Sequence, residues 1–139
     1  MKSSFSTSWK SSTQPRKQRK YRHNAPLHVK HMFLNAHLSK ELRKKYGKRS
    51  LPLRKGDEVL VMQGSFKRKK AKVVSVNLQR SRVALEGLQR TRRDGMKVSV
   101  TFHPRILQIQ TLVTEDKERL SALQRTATKL PLPSVQEKS

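Results

Sequence analysis

The sequence predicts a mainly β protein built on one small barrel, flanked by basic extensions. Three observations predict it. Between residues 56 and 111, five short runs alternate apolar with polar residues, and no helical run separates them. Turn residues punctuate the runs, above all the Asp94-Gly95 pair, which suits a tight hairpin. With 139 residues, 33% hydrophobic and 30% charged, the chain can fill one small core and leaves some of its length unpacked. The organisation that follows is a basic N-terminal extension with short helices over 1–53, the barrel over 54–113, and a short C-terminal helix and tail over 114–139.

Residues 1–25 read as a polar basic arm, since Pro15 and the run Arg16, Lys17, Arg19, Lys20 and Arg22 leave nothing to bury. No secretory apolar region follows Met1. Residues 1–22 are serine-rich, basic and acid-free, as transit peptides are, but the basic run continues directly into ordered-looking sequence. From Pro26 onward, Leu27, Val29, Met32, Phe33 and Leu38 recur at mixed helical spacing and predict a short basic helix. A second is expected over about 40–46: Ser39 is placed to cap it, Glu41 lies in its first turn, and Gly47 stops it. Residues 48–54 form an extended link, because Pro52 keeps Leu51 out of the helical region.

In the strands, Val59 and Val61 share one face, as do Val74 and Val76, Val83 and Leu85, then Val98, Val100 and Phe102, and finally Leu107, Ile109 and Thr111. Val73 beside Val74 breaks the alternation and predicts a bulge or a strand buried on both faces. After Thr114, the acids Glu115, Asp116 and Glu118 precede Leu120 and Leu123, the pattern of a short helix with acids in its first turn. Residues 130–139, with Pro131 and Pro133, are expected as a tail, and no internal repeat is present.

The net charge of +24 is unevenly spread. Residues 1–55 carry 16 Lys and Arg against one acid, 56–114 carry 12 against four, and 115–139 carry five against four. Such a block of like charge calls for a polyanion. No apolar run approaches the roughly 20 residues of a membrane span, and the first 55 residues hold no long amphipathic helix. The expected partner is therefore nucleic acid, with no membrane required. The absence of cysteine removes disulfides, thiolate chemistry and cysteine-ligated zinc, and fits a reducing compartment.

Catalysis is not expected. The nine acids are scattered, with Asp57 and Glu58 at a strand head and Asp94 in a turn, and no phosphate-binding glycine loop or nucleophile elbow occurs. His28 and His31 lie three apart with His23 and His37 nearby, but apart from Glu41 nothing completes a ligand set, so neither metal nor cofactor is expected. The chemistry lies in residues 55–76, where a strand, a loop carrying Gly64, Ser65, Phe66, Lys67, Arg68, Lys69 and Lys70, and a second strand follow one another. Gly64 lets the loop approach a ligand or take positive φ, Phe66 stacks or anchors, and the four cations meet phosphate.

Lys55-Gly56-Asp57 leading into Val59 and Val61, followed by Gly64, Lys67 and Val73, resembles the KOW motif, the hairpin of small SH3-like barrels that bind RNA. Arg68 and Ala71 stand where that motif customarily has glycines, which leaves the turn geometry there to be seen. A wider resemblance covers residues 14–113: Gln14-Pro15-Arg16-Lys17-Gln18-Arg19-Lys20, Asn24-Ala25-Pro26-Leu27-His28, Leu38-Ser39-Lys40-Glu41-Leu42-Arg43, Arg49-Ser50-Leu51-Pro52 and His103-Pro104. In these the chain is similar to the archaeal and eukaryotic form of the universal large-subunit ribosomal protein twenty-four family, the archaeal form more closely.

That resemblance implies an SH3-like barrel of the KOW type and a structural role in the cytoplasmic ribosome. It further implies binding to the 5′ domain of large-subunit rRNA, a part in early subunit assembly, a position near the polypeptide exit, and neighbouring ribosomal proteins rather than copies of itself as partners. Arg16, Lys17, Arg19, Lys20 and Arg22 would thread between RNA helices with Tyr21 stacking on a base. His28, Lys30, Arg43, Lys48, Arg49, Arg54 and Lys55 along the extension are further candidate contacts, as are Arg90, Arg92, Arg93, His103 and Arg105 in the barrel. Two other readings share the charge pattern: a KOW module of transcription elongation, which ordinarily sits in a longer chain, and a nonspecific condensing polycation, which needs no ordered barrel.

Overall fold

The computed structural model describes residues 5–127; the tail expected over 130–139 lies outside them. A 3₁₀ turn at Thr7–Ser11 leads into helices α1 (Pro15–Asn24) and α2 (Leu27–Met32), strand β1 (Asn35–Leu38), helix α3 (Lys40–Tyr46) and strand β2 (Ser50–Pro52). Strands β3 (Glu58–Val61), β4 (Lys70–Asn77), β5 (Arg82–Thr91) and β6 (Lys97–Phe102) follow. A 3₁₀ turn at Pro104–Ile106, strand β7 (Leu107–Thr111) and helix α4 (Lys117–Ala127) complete the order.

The seven strands of the described residues form one sheet in the order β2-β1-β7-β3-β4-β5-β6. The alternation that predicted β3 and β7 places Val59, Val61, Leu107 and Ile109 inward, each with no exposed surface, and the register sets Val59 opposite Ile109 and Val61 opposite Leu107. In β4 the expected irregularity is a register shift against β5 between Val73 and Ser75. Val73 faces the core at 2% exposure, whereas Val74 is 48% exposed, so the bulge and not a strand buried on both faces is found. The extra residue in the bulge turns Val74 outward.

The domain is mainly β as expected, but its sheet is not a closed ladder: the order begins at β2 and ends at β6, with no pairing between them. β7 pairs with β3 on one edge, and its other edge is taken by β1, which runs parallel to it and carries β2 outward. Strand β1 was not predicted. Its Ala36 and Leu38 join Leu34, Leu51 and Leu53 in the same core as the later strands, so the sheet recruits the N-terminal extension.

Helix α3 has the predicted ends. The Ser39 hydroxyl accepts from the Leu42 amide at 3.3 Å, and Gly47 takes the left-handed conformation (φ +62°) while its amide donates to the Arg43 carbonyl. The arm differs from expectation, since residues 15–24 are helical. Pro15 sits at the helix start, where its missing N–H costs nothing. Tyr21, Ala25 and Val29, spaced four apart, are buried together with Phe5, Trp9 and Phe33 around them. The Gln18 side-chain amide donates to the carbonyls of Trp9, Lys10 and Ser12, which fastens the first turn to α1.

Lys55-Gly56-Asp57 forms the structural hub. Gly56 has φ +91°, and a Cβ there would lie 3.1 Å from Val113 Cγ2, so both conformation and space select glycine. Asp57 is fully buried and accepts from the Arg54 and Val113 amides, and Arg119 of α4 grips it with both terminal nitrogens at 2.6 and 2.7 Å. The same guanidinium donates to the carbonyls of Val113 and Pro52. Asp57 is thus the anchor by which α4, with Leu123 in the core, closes that end of the sheet.

Candidate nucleic-acid interface

The loop between β3 and β4 is a compact set of turns. Lys67 N donates to Gly64 O, Lys69 N to Phe66 O, and Arg68 N to Val61 O at 2.8 Å, while Val61 N donates back to Lys69 O. Gly64 takes φ +93°. Arg68 takes φ +68°, the conformation glycine would supply at that motif position, so the tight turn survives the replacement at a cost in backbone strain. Phe66 packs edge-on against Phe102 with centroids 5.8 Å apart and anchors the loop to the core. Lys67, Arg68, Lys69 and Lys70 are all exposed, so the loop presents four cations from a fixed base.

A second basic surface joins α1 to the turn between β4 and β5. Arg19 and Arg22 face Arg80 and Arg82 across a cleft of about 520 Å³, with Phe33 and His103 in its lining. The Arg80 amide donates to Asn77 Oδ1 at 3.0 Å, which ties this turn. His103 Nδ1 accepts from the Arg105 amide at 3.2 Å, capping the 3₁₀ turn before β7. Burial, followed by the positive charges of Arg82, Arg22 and Arg105, holds the His103 pKa below its ordinary 6.5. The imidazole is therefore neutral near pH 7, with the Nδ1 acceptor fixing the proton on Nε2.

Two smaller patches add to the basic surface. Arg90, Arg92 and Arg93 line one of about 400 Å³ with Val98 and Val100, at the end of the hairpin closed by Asp94 and Gly95. Arg16, Lys17 and Lys20 line the other with Trp9, and the Lys20 ammonium lies 5.3 Å above the indole.

Some candidates are engaged within the fold. Tyr21 is 7% exposed and stacks on Phe5 with centroids 5.1 Å apart, so its ring is not free to stack on a base, and Trp9 is the arm's more open aromatic. Arg43 Nε donates to the Leu38 carbonyl at 2.9 Å, Lys48 Nζ to the Ala122 carbonyl, and Arg54 pairs with Asp116. These three help hold α3, α4 and the sheet together. Ser65, His28, Arg49, Lys55 and Arg105 are exposed and Lys30 half-buried. Arg80 and Arg82 were not singled out, although a basic turn between two valine-rich runs repeats the pattern that marked residues 67–70. Among the described residues no three His, Asp or Glu side chains are grouped to hold a metal, and no helix is long and apolar enough to cross a membrane.

Comparison with known proteins adds an independent finding. The profile of the family described as ribosomal proteins L26 in eukaryotes and L24 in archaea matches residues 12–126. A relative from Korarchaeum cryptofilum, named large ribosomal subunit protein uL24, is 42% identical over 119 residues, covering 86% of this chain and 91% of the relative. Another of the same name, from Pyrobaculum islandicum, is 44% identical over 114 residues, covering 82% and 93%.

Proposed function

The chain belongs to the family of eukaryotic ribosomal proteins L26 and archaeal ribosomal proteins L24, and from that premise we propose that it is a structural constituent of the large ribosomal subunit, bound to large-subunit rRNA. The observation that carries this reading is the loop at 67–70, where four exposed cations stand on a turn hydrogen-bonded to β3 and anchored through Phe66. A fixed constellation of cations positions a protein on a phosphate backbone, which is the work of a structural RNA-binding protein. Its role is positioning rather than catalysis.

The resemblance supports a finer reading. The protein binds the 5′ domain of large-subunit rRNA early in assembly and lies near the polypeptide exit of the cytoplasmic ribosome, beside other ribosomal proteins. Its scaffold is an SH3-like KOW barrel whose β7 edge is extended by the N-terminal strands. The sheet face and the α1 face then clamp separate RNA helices.

Competition binding tests this at near-physiological salt, with a 5′-domain transcript against a scrambled RNA of equal length. A clear preference for the native domain is expected, together with a severe loss of specific binding on deletion of residues 1–25. Equal binding to both RNAs would sink the ribosomal reading and leave a polycation. If about ten cations touch phosphate, affinity falls roughly 10³- to 10⁵-fold between about 50 and 200 mM salt.

A further inference from the structure

The cleft between α1 and the β4–β5 turn differs in kind from the loop at 67–70. The loop projects, and its cations are arrayed outward where a continuous phosphate backbone can lie across them. The cleft is concave, and its volume of about 520 Å³ falls within the range of roughly 300–1,000 Å³ that encloses a small organic ligand. Its guanidiniums come from two parts of the chain, Arg19 and Arg22 from α1 and Arg80 and Arg82 from the β4–β5 turn and the start of β5, and among the described residues no carboxylate lines it.

A single nucleotide turned out of its stack is of a size that such a space can take. Each part of a nucleotide has a complement in the lining. Guanidiniums hold a phosphate through paired N–H donors and also stack on base faces. Phe33 supplies an aromatic surface. His103, its Nδ1 occupied by the Arg105 amide, offers a neutral Nε2–H donor that adds no further charge to four arginines.

Resting on the rRNA-binding reading above, we propose that this cleft captures one unpaired nucleotide of the RNA, its phosphate held among Arg19, Arg22, Arg80 and Arg82 and its base against Phe33. The loop at 67–70 then holds paired backbone, and the cleft selects a place where the RNA is not paired.

The test uses the full chain and three RNAs of equal length: the 5′-domain transcript, the scrambled RNA and a blunt, fully paired duplex. R80Q/R82Q is compared with K44Q/K45Q, which removes the same charge from α3, away from every site described. On the duplex the two variants should lose affinity alike. On the transcript R80Q/R82Q should lose at least about tenfold more than the control, because releasing the phosphate also releases the captured base from Phe33, a loss on the scale of one stacked base. Irradiating the wild-type complex should crosslink Phe33 or a neighbouring cleft residue to an unpaired nucleotide, a readout that needs no variant to fold.

Equal losses for both variants on the transcript, or cleft crosslinks only to paired nucleotides, would overturn the proposal. The ribosomal reading fails separately, by a wild-type protein that does not prefer the transcript to the scrambled RNA. In that event the cleft still reveals itself, because R80Q/R82Q would lose more on the partly unpaired scrambled RNA than on the duplex.

Discussion

The core of the sheet and the cluster beneath α1 are packed by different means. Among the described residues, the first joins fifteen buried side chains, mostly leucine and valine, drawn from every strand and from α4, so each residue in it is held by partners distant in sequence. The second has three buried residues, Tyr21, Ala25 and Val29, enclosed by Phe5, Trp9 and Phe33, all within one stretch of 29 residues. The cations at 67–70 therefore stand on a scaffold built from contacts distant in sequence, while those of α1 stand on one built within a single short stretch of chain. If the smaller cluster opens by itself, amide exchange will separate the two surfaces.

The largest loss of stability is expected at Asp57. Asp57→Ala leaves Arg119 buried without its partner and frees the Arg54 and Val113 amides. A loss of about 3–5 kcal/mol is expected in denaturant unfolding, a large part of what a domain of this size possesses. A loss below about 1 kcal/mol would mean that α4 does not pin the sheet.

Tyr21→Ala should be comparable in local cost, about 3 kcal/mol, yet different in reach. Amide exchange should become fast across residues 15–24 while β3 and β7 stay protected, and parallel loss of protection in the sheet would show that the two clusters are one cooperative unit. A smaller effect of opposite sign is expected at Arg68→Gly, which relieves the positive φ and should stabilise by about 0.5–1 kcal/mol while weakening RNA binding through the lost cation. Destabilisation would show that the arginine side chain itself holds the turn.

The smallest effect lies at the seam between the two regions. Because the native state holds the His103 pKa below 6.5, the unfolded chain takes up the proton first, and His103 lowers stability as pH falls through 6.5 towards the depressed native value. His103→Asn keeps an acceptor for the Arg105 amide and should lose less stability than wild type between about pH 7.5 and 5.5. Equal losses in the two proteins would assign the acid sensitivity to another group.

Much of the fold was legible wherever its cause is local. Strands β3 to β7 follow from residues two apart, α3 from Ser39 and Gly47, and the β4 bulge from the Val73-Val74 pair. The same holds for the loop at 67–70, whose glycine, aromatic and cations adjoin in sequence. The cluster that buries α1 against α2 was written in the spacing of Tyr21, Ala25 and Val29, but the density of charge around them masked it. The cleft was half legible: Arg19, Arg22 and His103 were candidates, whereas Arg80 and Arg82 acquire meaning only opposite α1.

Near neighbours in the chain suffice to specify a basic, cysteine-free, mainly β protein with a cationic hairpin loop, because charge, turn chemistry and the two-residue period of a strand are settled among them. Folding in three dimensions set β1 parallel to β7 about seventy residues away and brought Arg119 to Asp57 across 62 positions. It also decided that Arg54 and Lys48 would be spent on α4, and that four arginines from two parts of the chain would share one cleft. Those choices depend on which buried groups find partners once the core has closed, and a residue's near neighbours in the chain carry no record of them.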